Sequence, residues 1–399
     1  MEFKSSKADY KKLRIMEKDS SIKLAFLGDF MLGGEFISHA ERNGLDLLYP
    51  FQRIESYLFD ADIIFLNLEG PIYEGDEKRT DVTSILSNDV SILNFLNNKK
   101  LCVLNLANNH IMDYGKKGLE QTVMLLKRNR IYYVGAGNNI EEANKKVIIE
   151  LKNRRLAFLA YTSNEPHVNA IISDSENAGC ASFLQIEKVL KEIQNLKRDV
   201  DIICISLHWG FEYFLYPSFK QVEIAHLMAD AGANFIIGHH PHVIQGIEKY
   251  NNCLVMYSLG NFFMPAIRSI SGRIQLRKKV SKEFILIRSE IDFQQNITFD
   301  FLGGKMNGNY LLTPLDDHSQ ETFSNKMSRL SKPIHSNKSY EKAWLRYKEV
   351  REKELKRESL MAAFKKLLMT PRKELIKTIT FEDIRRNVGR LLSVIFGSK

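Results

Sequence analysis

Five apolar runs in this chain each lead straight into an acidic, amide or imidazole side chain, and this pattern limits the fold more than any other feature. IKLAFLG (22–28) runs into Asp29, and ADIIFLNLE (61–69) ends on Glu69. LCVLNLA (101–107) precedes Asn109 and His110, DIICISLHWG (201–210) contains His208, and NFIIGHH (234–240) ends on two histidines. Short runs that are apolar throughout suit buried strands. Between them, Leu93–Lys99, Gly118–Arg128, Phe183–Leu196 and Gln221–Ala231 have helical spacing, as does Leu47–Phe59. Segments 146–162 and 242–261 read as hairpins turning near Asn153–Arg154 and at Asn251–Asn252. Alternating strands and helices predict an α/β layered domain with mixed central sheets flanked by helices, spanning residues 21–312. Sheets of this kind place their ligand sites at the carboxyl ends of strands, where these polar residues fall.

Outside that domain the composition changes. Residues 1–20 are polar and mixed in charge, and read as a flexible arm without the apolar core of a signal peptide. Residues 313–339 contain few large apolar side chains and read as a polar linker. Residues 340–399 are rich in Lys, Arg, Glu and Leu and read as a basic helical extension. The formal net charge is +9, and residues 341–399 supply +8 of it, from 16 Lys+Arg against 8 Asp+Glu. The body is therefore nearly neutral, which argues against nucleic acid as its partner. Segment 363–396 mixes Leu, Ile and Phe with Lys and Arg at helical spacing, broken at Pro371, and suits peripheral contact with an anionic membrane. No stretch of 18 apolar residues occurs, so the expected location is cytoplasmic. The cysteines (Cys102, Cys180, Cys204, Cys253) form no CxxC pair and read as reduced core residues.

Five of the ten histidines lie in three strand-end segments: His110, His208, and the trio His239, His240 and His242. With Asp29, Glu69 and Asn109 they make a set of imidazole, carboxylate and amide donors, the ligands of Mn, Zn or Fe at nitrogen/oxygen sites. Gathered at one sheet edge, they would hold one or two divalent ions. Glu212, four residues after His208, and Asn261 are candidate supports behind the ligands. Asp113 either hydrogen-bonds near His110 or caps the helix that follows it, and the cap is the favoured reading.

The segments GDFMLGG, NLEGPI, LANNHIMDYG, SLHWGFEY, GHHPHVIQG and YSLGNF occur in that order over residues 22–265. Together they resemble the calcineurin-like metallophosphoesterases, in the version found in the poly-γ-glutamate capsule-synthesis (CapA) family. The resemblance implies a layered metallophosphoesterase fold. It implies that Glu69 bridges two metals, that Asn109, His208 and His240 complete one metal site, and that Asp29 and His242 form the other. It implies that His110 faces the substrate and acts as general acid or orients the scissile phosphate, and that His239 packs behind the pair or exchanges roles with His240. Two features depart from the pattern. Met31 stands where a histidine ligand is usual, and the bridging aspartate is replaced by the longer Glu69. The expected function is that of a metal-dependent hydrolase serving biosynthesis of an anionic capsule polymer. Its expected partners are that polymer or a phosphorylated substrate, and membrane-associated polymer-synthesis proteins. The alternatives are a stand-alone phosphoesterase and a non-catalytic polymer- or phosphate-binding accessory protein.

Overall fold

A computed structural model describes residues 21–369 of the chain, apart from 77, 83, 99–100, 166, 270–273, 276–277 and 335–337. The expected arm at 1–20 and the tail beyond 369, with most of the expected membrane-contact segment, lie outside those residues.

Among the described residues, fourteen strands build two mixed sheets. In chain order they are β1 (Ile22–Phe30), β2 (Ile63–Leu68), β3 (Cys102–Asn105), β4 (Tyr132–Val134), β5 (Val147–Leu151), β6 (Arg154–Thr162) and β7 (Ile202–His208). They continue with β8 (Phe235–His239), β9 (Ile247–Tyr250), β10 (Cys253–Met256), β11 (Asn261–Phe263), β12 (Glu283–Ile291), β13 (Ile297–Met306) and β14 (Leu312–Pro314). The first sheet runs β14-β13-β12-β1-β2-β3-β4, with β11 also pairing β1; the second runs β9-β10-β8-β7-β6-β5. Strands β1 to β4 are mutually parallel, as are β6, β7, β8 and β10, while hairpin partners join antiparallel at the edges.

The sheets pack face to face. Phe26 of β1 meets Phe235 of β8 at 5.0 Å between ring centres, and Phe65 of β2 stacks on Phe158 of β6 at 6.0 Å. All four rings are buried, each contributing about 1.5–3 kcal/mol relative to an exposed ring. This explains the unbroken apolar runs: β2 and β7 are buried along their whole length, so neither face selects polar residues. The expected hairpins form. Lys152 and Asn153 both take positive φ (50° and 60°), which closes a two-residue turn with the twist strands require.

Two expectations are corrected. Leu47–Phe59 is not one helix but two short turns, Tyr49–Phe51 and Glu55–Leu58. Pro50 has no N–H to give a longer helix. Residues 313–339 are not a linker. They complete β14 and form a helix, Asp317–Ser331, capped where the Asp316 side chain accepts from the Ser319 N–H at 2.8 Å. Phe323, Met327 and Leu330 are buried, and Gln320 clasps the backbone of Gly303 through both its amide atoms (3.1 and 2.8 Å). One apolar stripe at helical spacing is enough to dock a helix whose other faces are polar.

Around the sheets, in chain order, lie α1 (Glu35–Asn43), α2 (Gly115–Arg128), α3 (Ile186–Leu196) and α4 (Phe219–Ala231). The helix at 317–331 is α5. Beyond this compact unit, which ends at Ser336, the described residues form the single helix α6 (Lys338–Met369). Its surface charges pair along the helix, with Arg351 reaching Glu354 and Glu358 at 3.0 and 3.1 Å.

Candidate metal centre

Asp29, the last residue but one of β1, follows a glycine that permits a close crossing. A Cβ on Gly28 would lie 2.0 Å from the Gly260 carbonyl oxygen, so only glycine lets β1 and the 259–261 segment touch. The Asp29 N–H then donates to that carbonyl at 2.8 Å. Gly238 does the same on the second sheet, where a Cβ would lie 1.9 Å from the Tyr257 carbonyl oxygen; His239 follows it, opposite His208 in the β7–β8 register. The strand-end residues of both sheets therefore meet at one edge. The turn after β8 is strained: His240 and His242 both hold positive φ (95° and 57°). Such backbone is rare for side chains with a Cβ and clusters at functional sites.

One half of the cluster is charged. Ligand atoms of Asp29, Glu69 and His242 all lie within 4.8 Å of one another, and all three side chains are buried. His242 Nδ1 is 3.2 Å from Asp29 Oδ2 and 2.8 Å from Asn261 Oδ1, while its Nε2 is 3.5 Å from Glu69 Oε1. Burial pulls the imidazole down, but the charges of Glu69 and Asp29 outweigh it and raise His242 to about 9. Burial pushes Asp29 up, and hydrogen bonds from His239 and His242 overcome this, holding the carboxyl well below its usual range. Behind Asp29 lies an amide network. Asn67 Nδ2 donates to Asp29 Oδ1 at 2.9 Å, and Asn67 Oδ1 accepts from Asn105 and Asn108 at 3.1 Å each.

The other half is neutral. His208 Nε2 lies 2.8 Å from Asn109 Oδ1, and the His208 and His240 rings stand 4.8 Å apart. Burial lowers both imidazoles: His240 falls to about 4, with a smaller opposing pull from Glu212, and His208 falls well below its ordinary value, burial being joined by the charge of His240. Neutral imidazole is the form that binds metal. Both ring nitrogens of His240, Nε2 of His239 and Nδ1 of His208 are buried without a hydrogen-bond partner among the described residues. Buried polar nitrogens are rarely left so. A divalent ion would supply the missing partner, and the donor set of carboxylate, imidazole and amide is of the kind that suits Mn, Zn or Fe. The residues therefore fit such a group.

A family model described as bacterial capsule synthesis protein PGA_cap matches residues 23–266. The chain belongs to this family. It is 34% identical over 251 residues to the capsule biosynthesis protein CapA of Bacillus anthracis, covering 61% of this chain and 60% of that protein. It is 33% identical over 246 residues to the PGA biosynthesis protein CapA of Bacillus subtilis (strain 168), covering 61% and 63%. The chain thus matches about three fifths of the length of these relatives. A hypothetical protein of known structure from Thermus thermophilus aligns over 71% of this chain and 99% of its own at 15% identity, with a TM-score of 0.41.

Within this PGA_cap member, the expected residues divide as follows. Asp29, Glu69 and His242 form one compact group, and Asn109, His208 and His240 adjoin it. His239 is fully buried with Nδ1 3.2 Å from Asp29 Oδ1, directly behind that carboxylate. Asn261 holds His242, donating its own Nδ2 to the Ser281 carbonyl at 2.8 Å. Glu212 is exposed and acts on His240 and His242 through its charge. Met31 packs in a small apolar cluster with Leu86, Met264 and Ile267.

His110 keeps 15% of its side chain exposed, whereas those of Asp29, Glu69, His239 and His242 show 6% or less. Its Nε2 stands 4.0 Å from Glu69 Oε1. Its Nδ1 is 2.7 Å from Asp113 Oδ2, which corrects the reading of Asp113 as a helix cap. Tyr114 takes the cap position of α2, and the Asp113 carboxylate instead serves His110 and the Leu86 N–H (2.8 Å). Burial lowers His110, but the charge and hydrogen bond of Asp113 raise it overall. The i, i+3 spacing of His110 and Asp113 was the available signal. The Asn67–Asn105–Asn108 network gave none beyond strand-end asparagines.

Among the described residues, no helix is long and apolar enough to cross a membrane.

Proposed function

We propose that this chain is a metal-dependent hydrolase acting in the biosynthesis of an anionic capsule polymer of the poly-γ-glutamate type. The observation that carries the reading is the buried meeting of Asp29, Glu69 and His242 beside histidine nitrogens that have no hydrogen-bond partner among the described residues. The names of the CapA relatives support the polymer context. Asp29, Glu69, Asn109, His208, His240 and His242 would hold the ion or ions. A bound divalent ion supplies Lewis-acid activation of water and charge stabilisation at the scissile group.

The chain's own residues supply the proton work. Asp113 accepts from His110 Nδ1–H, which fixes the tautomer and turns Nε2 toward the open side of the cluster. The protonated ring gives its Nε2 proton to the departing oxygen or nitrogen, and Asp113 stabilises the imidazolium before transfer. Asn261 orients His242 so that Nε2 faces Glu69.

The test is elemental analysis of purified protein, run beside hydrolysis of γ-linked glutamate oligomers, a phosphomonoester and a phosphodiester with added Mn²⁺. His208→Ala should lose metal, while His110→Ala should keep metal and lose turnover. Protein that takes up no metal under any loading condition overturns the reading. Metal without turnover of any substrate favours the non-catalytic accessory role.

A further inference from the structure

We propose that Lys278 is the anion-recognition residue of this site, its ammonium taking a carboxylate or phosphate oxygen of the substrate beside the bond that His110 serves. The inference rests on the hydrolase reading and names the substrate group that reading leaves open.

Two separate routes tie Lys278 to His242. The first is aromatic. Lys278 Nζ sits 4.3 Å from the centre of the Tyr213 ring, and that ring lies 6.3 Å from the His242 ring. A single aromatic side chain therefore separates the ammonium from a candidate ligand. Tyr213 is held there at a cost in backbone conformation: its φ is +62°, and its N–H donates to the Pro241 carbonyl at 2.8 Å, inside the strained His240–His242 turn. A tyrosine kept in left-handed backbone against the ligand turn is a placed residue.

The second route is hydrogen-bonded. The Lys278 carbonyl accepts from both the N–H (3.0 Å) and the hydroxyl (2.9 Å) of Ser281. The Ser281 carbonyl accepts from Asn261 Nδ2, and Asn261 Oδ1 meets His242 Nδ1, each at 2.8 Å. Lys278 is thus tied to His242 at its backbone through Ser281 and Asn261, and at its side-chain tip through Tyr213.

The chemistry follows from what the cluster lacks. Asp29, Glu69 and the histidines turn inward as a donor set, and Asp113 is committed to His110. An anionic group flanking the scissile bond needs a cation outside that set. Lysine offers a compact charge with three donors, which suits one carboxylate or phosphate oxygen. Resting on an aromatic face limits the freedom a lysine otherwise loses on binding. Each γ-linked glutamate keeps its α-carboxylate free, so such a polymer presents this group at every residue, and a phosphorylated substrate presents the same chemistry once.

The experiment uses the full chain loaded with Mn²⁺. Its probes are a fluorescently labelled γ-linked glutamate decamer, the same decamer with its α-carboxylates amidated, and inorganic phosphate as competitor. Lys278→Met should weaken decamer binding, phosphate competition or both by about tenfold or more, as expected for loss of one charge-assisted hydrogen bond. Lys278→Arg should restore most of it. Tyr213→Phe should match wild type and Tyr213→Leu should fall between, because the ring and not the hydroxyl carries the ammonium. The amidated decamer should bind wild type and Lys278→Met alike. Loss confined to the decamer assigns the group to the polymer carboxylate, and loss confined to phosphate assigns it to a phosphoryl group. Equal binding of both anions by wild type and Lys278→Met, or no binding of either by wild type, overturns the proposal. The metal content of the same samples judges the hydrolase reading separately, since the binding signal requires no turnover.

Discussion

His240 and His242 stand two residues apart in one strained turn, and both are buried, yet their protons behave oppositely. His242 lies between Asp29 and Glu69 and is raised to about 9, whereas His240 faces His208 and falls to about 4. Depth of burial does not decide the charge state here; the neighbouring groups do. One half of the centre balances two carboxylates with a proton on imidazole. The other half holds imidazoles already deprotonated for a ligand. A metal arriving at the first must displace that proton, and at the second it meets no such competitor.

The comparison can be broken experimentally, starting with the largest effect. His110 belongs to the charged half but is proposed to work on protons and not on metal. His110→Ala should lower turnover about 10²–10⁴-fold with metal content unchanged. Parallel loss of metal would make His110 a ligand and erase the distinction. Asp29→Ala should destabilise the metal-free protein by about 3–5 kcal/mol, because it leaves the buried His242 and His239 without the carboxylate they share. Urea denaturation in chelator measures this, and a cost below that of an ordinary surface change would show that the charged half is not coupled.

A smaller effect is expected at Asn261, which touches His242 without belonging to the donor set. Asn261→Ala should weaken metal affinity about 10–100-fold in chelator competition. No loss would mean that His242 orients without it. The smallest effect is in the pH profile of the metal-free protein. On folding His242 rises from 6.5 to about 9, so its stabilising contribution is complete below pH 6.5 and is lost as pH climbs through about 9. His240 falls from 6.5 to about 4, so its contribution holds above pH 6.5 and is lost as pH drops toward 4. Thermal midpoints in chelator should peak near pH 6.5. His242→Gln should make the alkaline limb shallower, and His240→Gln the acid limb. Variants that leave the profile unmoved would remove the contrast between the halves.

Much of the centre was legible in the chain. Asp29, Glu69, Asn109, His208, His240 and His242 follow apolar runs, and a strand buried on both faces delivers the residue at its end to the sheet edge. The partners behind them were not. Asp113 reads as a cap because Asp before a helix usually is one, and only the loop's path turns its carboxylate to His110. Met31 reads as a missing ligand, but nothing in the sequence says that it packs with Met264. Residues 313–339 read as a linker because polar residues dominate, although Phe323, Met327 and Leu330 already carried the helical period.

The sequence by itself determined the alternation of strands and helices, the family, and the donor types at the strand ends. These rest on local periodicity and residue chemistry, which neighbouring positions encode. The tertiary structure alone decided which buried histidine is raised and which is lowered, and that Lys278 and Tyr213 meet beside His242. Those outcomes depend on distances between residues far apart in the chain. Such distances arise only when the two sheets close on one another, because electrostatic and hydrogen-bond energies act through space and not along the sequence.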